Sequence, residues 1–441
     1  MKAIGIDIGT TTISGVVLDV DGGNVLEART MENGSFIKTE QEWERIQDVD
    51  VILRKAVELT DALLDCCPEA EAIGLTGQMH GIVYVDRDGR HISPLYTWQD
   101  GRGNLPVKDG QQSWRELVSE KTGLSVAAGY GLLTHLYNQR NGLVPRGAVS
   151  LCTIGDYLGM ALTGRKRPLI HAGNAASLGF FDSRENRFHV DAMREMGIET
   201  AILPEFTEDF VSLGTYRKIP VTVAIGDNQA SFLGSVGMCR NTLLLNMGTG
   251  GQISALSDQY YEAPGIEARP FVKGTYLLVG ASLCGGRAYA VLEHFFRSYA
   301  RAAGLPDSSQ YGMMAGLAEE GMKMSDPMQV CTLFNGTRVN PEQRGSITNL
   351  SEDNFTPEGL TYGVLEGMAR ELYDMYRLMC AGTDIEAVHL VASGNGFRRN
   401  SVLQEICRRM FGAELSLAAY EEEAACGAAV SGVCTDEKNI E

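Results

Sequence analysis

The run Asp7-Ile8-Gly9-Thr10-Thr11-Thr12 places a carboxylate near the end of an apolar stretch and three hydroxyls just past a glycine. Glycine lets a backbone approach a ligand closely, and amide hydrogens and hydroxyls at such a tip can donate to phosphate oxygens. Asp7 could hold Mg2+ through water, because that ion takes few carboxylates and keeps its waters. A plain hairpin with turn residues explains the same run. Gly248-Thr249-Gly250-Gly251 offers equivalent donors from the second half of the chain. Two such turns, each at a strand end in its own half, could grip a polyphosphate from both sides. Neither is a Walker A loop or a GxGxxG fingerprint.

Asp227 follows the apolar run 221–225 and Gly226, and precedes Asn228-Gln229-Ala230, where a helix is expected to begin. A carboxylate held there points out of a sheet edge, as a general base must, and an aspartate in that place is equally an ordinary helix cap. His80 lies in the polar loop Thr76-Gly77-Gln78-Met79-His80-Gly81, with no second ligand at metal-binding spacing, so zinc is not expected. Trp98-Gln99-Asp100-Gly101-Arg102 joins an apolar ring to amide, carboxylate and guanidinium groups, a mixture that suits a polyhydroxylated molecule. A tryptophan packed at a domain edge beside an ion pair is the alternative. No serine sits in a nucleophile-elbow pattern.

These residues need elements to hold them. Segments 3–8, 13–18 and 25–26, broken at Gly9 and at Asp21-Gly22-Gly23, predict a three-stranded meander. Val49, Ile52, Leu53, Ala56, Val57, Leu63 and Leu64 recur at three and four, which predicts a helix within residues 43–66. Strands are expected at 72–75 and 82–85, flanking the His80 loop. Segments 242–247 and 252–256, around their Gly/Thr turn, repeat the strand-turn-strand of residues 6–17. A further strand, 387–392, leads through Ser393-Gly394-Asn395-Gly396 into a helix carrying Leu403, Ile406, Cys407 and Met410. The expectation is a duplicated α/β architecture with domains at 1–232 and 233–441 and a ligand cleft between them.

Composition narrows the function classes. The chain has 441 residues, enough for two or three domains, and 38 basic against 56 acidic side chains, a net charge of −18. Without a basic run, nucleic acid is not an expected partner. No apolar stretch approaches the ~18 residues of a membrane helix, so no membrane partner is expected either. Ten cysteines with no CxxC pair suit reduced thiols and a cytoplasmic protein.

Taken together, the motifs resemble the FGGY carbohydrate kinases, a family whose fold is shared with actin and hexokinase. Asp7-Ile8-Gly9-Thr10-Thr11 is similar to its first phosphate motif, Gly226-Asp227-Asn228-Gln229-Ala230 to its catalytic-base motif, Met247-Gly248-Thr249-Gly250 to its second phosphate motif, and Ser393-Gly394-Asn395-Gly396 to its adenosine motif. Glu423-Ala424-Ala425-Cys426-Gly427-Ala428-Ala429 resembles the usual closing helix, while Asp156-Tyr157-Leu158 and Asn174-Ala175-Ala176-Ser177 resemble motifs of the first domain. Gly77-Gln78-Met79-His80-Gly81 is similar to the substrate loop of the ketose kinases. The stretch from Tyr96 to Arg102 resembles the sedoheptulose-phosphorylating subgroup. Two places depart from the family: Gly131-Leu132-Leu133-Thr134-His135-Leu136-Tyr137 stands where many members carry a Lys and a Trp, and Arg344-Gly345-Ser346-Ile347 matches the second-domain signature weakly.

The resemblance implies two actin-like (ribonuclease H-like) ATPase domains with an interdomain cleft, ATP and Mg2+ as cofactors, and a small-molecule ketose as substrate. It implies Asp227 as the base, Asp7 as the Mg2+ residue, and Gly9, Thr10, Thr11, Thr12, Gly248, Thr249 and Gly250 as the phosphate grip. Gly394, Asn395, Gly396 and Asn400 would face the nucleotide. Gln78, Met79, His80, Trp98, Asp100, Tyr130 and Asp227 would face the sugar. The implied reaction is phosphorylation of sedoheptulose to sedoheptulose 7-phosphate, with xylulose as the alternative substrate. A catalytically silent sugar or nucleotide sensor and an actin-like assembly protein are the other classes that the fold allows. A homodimer is a possible assembly.

Overall fold

The protein is described by a computed structural model covering residues 1–108, 110–337 and 340–434. The chain divides into two compact units: Met1–Met238 with Arg269–Gly274 and the segment from Tyr420 onward, and Cys239–Ala268 with Thr275–Ala419. Among the described residues, no helix is long and apolar enough to cross a membrane.

In the first unit the expected meander forms from Lys2–Ile8, Thr12–Asp19 and Asn24–Glu32. Ala72–Gly77 then joins the first strand in parallel, and Ile219–Thr222 joins Ala72–Gly77. Ala3, Ile4, Ile6 and Ile8 are all fully buried, because both faces of this central strand are covered. On one face lies the helix Val49–Cys66, whose buried stripe includes Ile52, Ala56, Leu59 and Leu63. It begins later than residue 43 because Ile46–Gln47 pairs instead with Leu95–Tyr96, and Asp48 then caps the helix by accepting from the Val51 amide.

The other face is covered by the last helix, Glu423–Val433. Its small residues let it lie on the sheet backbone itself: a Cβ at Gly5 would come 1.8 Å from the Ala425 carbonyl oxygen, and one at Gly74 1.6 Å from that of Ala428. Here the structure departs from the expected division at 232/233. The closing helix packs on the first unit, as does Arg269–Gly274, whose Phe271 is buried against Phe210 and Phe232. Both segments are distant in sequence from what they cover, so no local pattern marks them.

The second unit repeats the sheet order. Tyr276–Ser282, Gly251–Ser257 and Thr242–Met247 are antiparallel neighbours, followed in parallel by His389–Ser393 and Glu414–Leu417. The long helix Pro357–Gly382, capped by Thr356 and carrying proline at its start, supplies Val364, Leu365, Met368 and Leu372 to this core.

Candidate active site

Strand register brings the first unit's candidates to one edge. Ile8 pairs with Gly77, and Gly77 with Gly226, so the residues just beyond that common rung are Gly9, Gln78 and Asp227. This is the carboxyl end of parallel strands, where open α/β sheets carry their ligands. Two side chains fix the backbone before Asp227: the Thr76 hydroxyl donates to the Ile225 carbonyl at 2.9 Å, and the Asn174 amide donates to the Ala224 carbonyl at 3.0 Å. Asn174 also donates to Asp156, which forms a capping box with Thr153. The motifs around Asp156 and Asn174 therefore hold the strand that leads into Asp227 in place.

Asp227 opens the helix Asp227–Val236, and its Oδ1 accepts from the Asn228 amide at 2.7 Å. Burial pushes its carboxyl above the ordinary carboxylate value, while the charge of Arg269 and the Asn228 amide hold it back. Asp7 is pushed up to about 7, first by burial and then by the charges of Asp227 and Glu422. Its Oδ1 is buried and accepts no hydrogen bond.

The turn after the first strand is held from behind. The Asn33 side-chain amide donates to the Gly9 carbonyl, the Gln47 amide to that of Thr10, and the Asn33 backbone N–H to that of Thr11. With these carbonyls turned inward, the tip presents the exposed side chains of Thr11 and Thr12. Asn33 and Gln47 are fully buried. Neither is legible in the sequence, since a lone amide in a short connecting segment carries no periodic signal.

His80 adopts a left-handed backbone, φ 71°, which is costly for a residue with a Cβ and is typical of functional positions. Its ring stacks on Tyr130 with centroids 4.7 Å apart and planes 5° from parallel. Nδ1 lies 2.8 Å from the Ser177 carbonyl. A carbonyl can only accept, so Nδ1 carries a proton. Trp98 is 48% exposed, and its indole N–H donates to the Thr10 hydroxyl at 3.0 Å.

One sugar-side expectation is corrected. Asp100 is buried, and four donors occupy its oxygens: the Arg45 and Arg102 backbone amides and the Arg102 Nε and Nη2, at 2.6 to 3.1 Å. It serves to hold the buried Arg102, which stacks over Tyr96 at 4.4 Å, and has no lone pair to spare for a ligand. Met79 is buried too, and packs so closely on Gly226 that a Cβ there would come 2.5 Å from its sulfur. It backs the strand end that precedes Asp227.

In the second unit, Gly248, Thr249, Gly394, Asn395, Gly396 and Asn400 line one cavity of about 790 Å³, within the range of a nucleotide site. Gly394 has φ 83°, and a Cβ on it would meet the Met247 carbonyl at 2.7 Å. The turn is pinned to the helix Gly285–Ala302, where the Gly286 and Arg287 amides donate to the Gly248 and Thr249 carbonyls. That places the positive end of a helix dipole beside the turn. Gly250 is not among the lining residues. It sits where a Cβ would press on the Ser282 carbonyl, so its part is close packing. Asn400 caps the helix Ser401–Phe411 through the Leu403 amide. Arg287, Glu319 and the ring pair Tyr289–Tyr311, with centroids 5.8 Å apart, also line the cavity and went unread in the sequence.

Among the described residues, no group of three or more His, Cys, Asp and Glu could hold a metal ion. A protein cage is thus absent there, but one carboxylate with waters and phosphate oxygens is the ordinary Mg2+ arrangement, and the unpartnered Asp7 oxygen fits it.

Family models for the N-terminal and C-terminal domains of the FGGY family of carbohydrate kinases match residues 2–234 and 243–435. The chain is 29% identical to sedoheptulokinase from Mus musculus, over 92% of each chain. It is 29% identical to sedoheptulokinase from Homo sapiens, over 97% of this chain and 96% of that one. The solved xylulose kinase from Rhodospirillum rubrum superposes with a TM-score of 0.81 at 21% identity, covering 98% of this chain and 89% of that structure.

Proposed function

The chain belongs to the FGGY family of carbohydrate kinases, an ATP-dependent sugar kinase, and from that premise we propose that it phosphorylates the terminal primary hydroxyl of a ketose, sedoheptulose giving sedoheptulose 7-phosphate. The observation that supports this reading is the shared rung of Ile8, Gly77 and Gly226, which sets the Gly9–Thr12 turn, the His80 loop and the buried Asp227 carboxylate side by side. The sedoheptulokinase relatives and the stretch from Thr97 to Arg102 support the choice of sugar.

Asp227 accepts the hydroxyl proton as the oxygen attacks the γ-phosphorus. Its raised proton affinity suits that task, because a base works best with a pKa near the working pH. The transition state spreads charge over the phosphoryl oxygens, so positioning and electrostatics do most of the catalysis. Thr10, Thr11 and Thr12 with the backbone at Gly9, and Thr249 with Gly248, are the donors to those oxygens. Asp7, with its unpartnered Oδ1, would hold Mg2+ through water, and the bound ion would supply charge neutralisation at the phosphates. His80, its ring stacked on Tyr130, meets a sugar hydroxyl, and Trp98 offers an apolar face to the sugar carbons. Gly394, Asn395, Gly396 and Asn400 receive the nucleoside end of ATP. The ten cysteines are all unbridged, which suits the cytoplasm.

The test is product identification. Incubation with ATP, Mg2+ and sedoheptulose, followed by phosphorus–proton correlation NMR, should show one phosphate ester on carbon 7. An ester on carbon 1, or none, overturns the reading.

A further inference from the structure

Four side chains tie the phosphate turn to the sugar loop, and a backbone carbonyl fixes which way each amide points. The Thr10 carbonyl can only accept, so the Gln47 group facing it at 2.9 Å is the NH2. Gln47 therefore turns its oxygen to the Gln78 NH2, at 2.8 Å, and Gln78 turns its oxygen to the Thr10 hydroxyl. Gln47 and Gln78 are both buried, so these orientations do not exchange with solvent partners. The Thr10 proton rests on the Gln78 oxygen at 3.4 Å, a long and weak bond, while the lone pair takes the Trp98 indole N–H at 3.0 Å.

From this ring we infer that the Thr10 hydroxyl is a phosphate donor whose availability is set by sugar bound on Trp98, with Gln47 as the positioning residue that holds the relay in one orientation. The inference rests on the proposed function and deepens it. Trp98 is half exposed on its ring and anchored through its N–H. Sugar packed on the ring orders the indole, the indole orders the Thr10 oxygen, and the weakly held proton passes from the Gln78 oxygen to a phosphate oxygen. No covalent bond changes. A second ligand that meets an already ordered contact pays less to bind, so sugar and ATP favour each other's binding, and by the same factor in both directions.

Calorimetry of the full chain with adenylyl imidodiphosphate and Mg2+, with and without saturating sedoheptulose, gives that factor. A hydrogen bond to a charged phosphate corresponds to ~10-fold in affinity, so the parent should show a coupling factor of at least ~10. Trp98→Phe keeps a ring for the sugar and removes the N–H. It should bring the coupling, read as the ratio of dissociation constants within the same variant, to ~2 or less. Gln47→Leu, which contacts neither ligand, should lower the coupling likewise, and Thr10→Ser should retain it. A coupling factor near 1 in the parent, or one unchanged in Trp98→Phe, overturns the inference. Sugar-stimulated ADP release by the parent separates the two failures: without it the proposed function falls and this inference with it, and with it only the relay is at stake.

Discussion

Gly226 pairs in parallel register with Gly77, and this single rung sets Asp227 one residue beyond the sheet beside Gln78. The pairing needs small residues, because Met79 packs into the space that a Cβ on Gly226 would fill. Asp227 is thereby held by backbone geometry, with its carboxylate at a helix start rather than within a loop.

Replacing Asp227 by Asn keeps the oxygen that accepts from the Asn228 amide and removes the base. Turnover should fall by at least ~10²-fold, the lower end for general acid–base catalysis. Affinity for ATP should change little. Steady-state kinetics of the purified, folded variant decides it, and turnover within a few-fold of the parent would remove Asp227 from the role.

Thr249→Val deletes a hydroxyl at the second turn and leaves the shape, while the turn stays pinned by the Arg287 amide on the Thr249 carbonyl. Loss of a charge-assisted contact predicts a drop of at least ~10-fold in kcat/KM for ATP. Unaltered ATP kinetics would make Gly248-Thr249 a plain hairpin tip.

Acid stability should carry the signature of a buried neutral histidine. His135 is buried with its Nδ1 2.8 Å from the Tyr84 hydroxyl, and burial pushes its pKa down to about 4. A depressed pKa means that the unfolded chain takes up the proton first as pH falls. The contribution is therefore complete above about pH 6.5 and is lost on the way to about pH 4, at roughly 1.4 kcal/mol per pH unit. Chemical denaturation of the parent and of His135→Gln across this range should show their stability difference sloping by that amount below pH 6.5 and flat above it. A difference that stays level throughout would mean that His135 titrates as it does in the unfolded chain.

What the sequence made legible was local. The Gly/Thr turns and the aspartate after a buried strand announce themselves because a tight turn needs glycine and a strand end needs a polar exit. Asp100 misled because its partner, Arg102, was visible two residues away, whereas the burial that consumes both of them was not. Gln47, Asn33 and Arg269 act through contacts with distant residues, which no spacing within their own segments records. The last helix reads as a small-residue helix in any context. That it lies against Gly5 and Gly74 is set by a fit between backbones more than 350 positions apart.

The most direct test of the central claim compares two sugars. Sedoheptulose and D-xylulose share the keto end and a terminal primary hydroxyl, but the longer sugar carries two more hydroxylated carbons between them. A pocket fitted to seven carbons leaves polar groups unpaired around the shorter chain and holds its terminal oxygen out of line with Asp227. Sugar-stimulated ADP release, measured with both under the same ATP and Mg2+, should give a kcat/KM for sedoheptulose ~10-fold or more above that for D-xylulose. A preference for D-xylulose would contradict the assigned substrate, and ADP release that neither sugar stimulates would contradict the assignment as a ketose kinase.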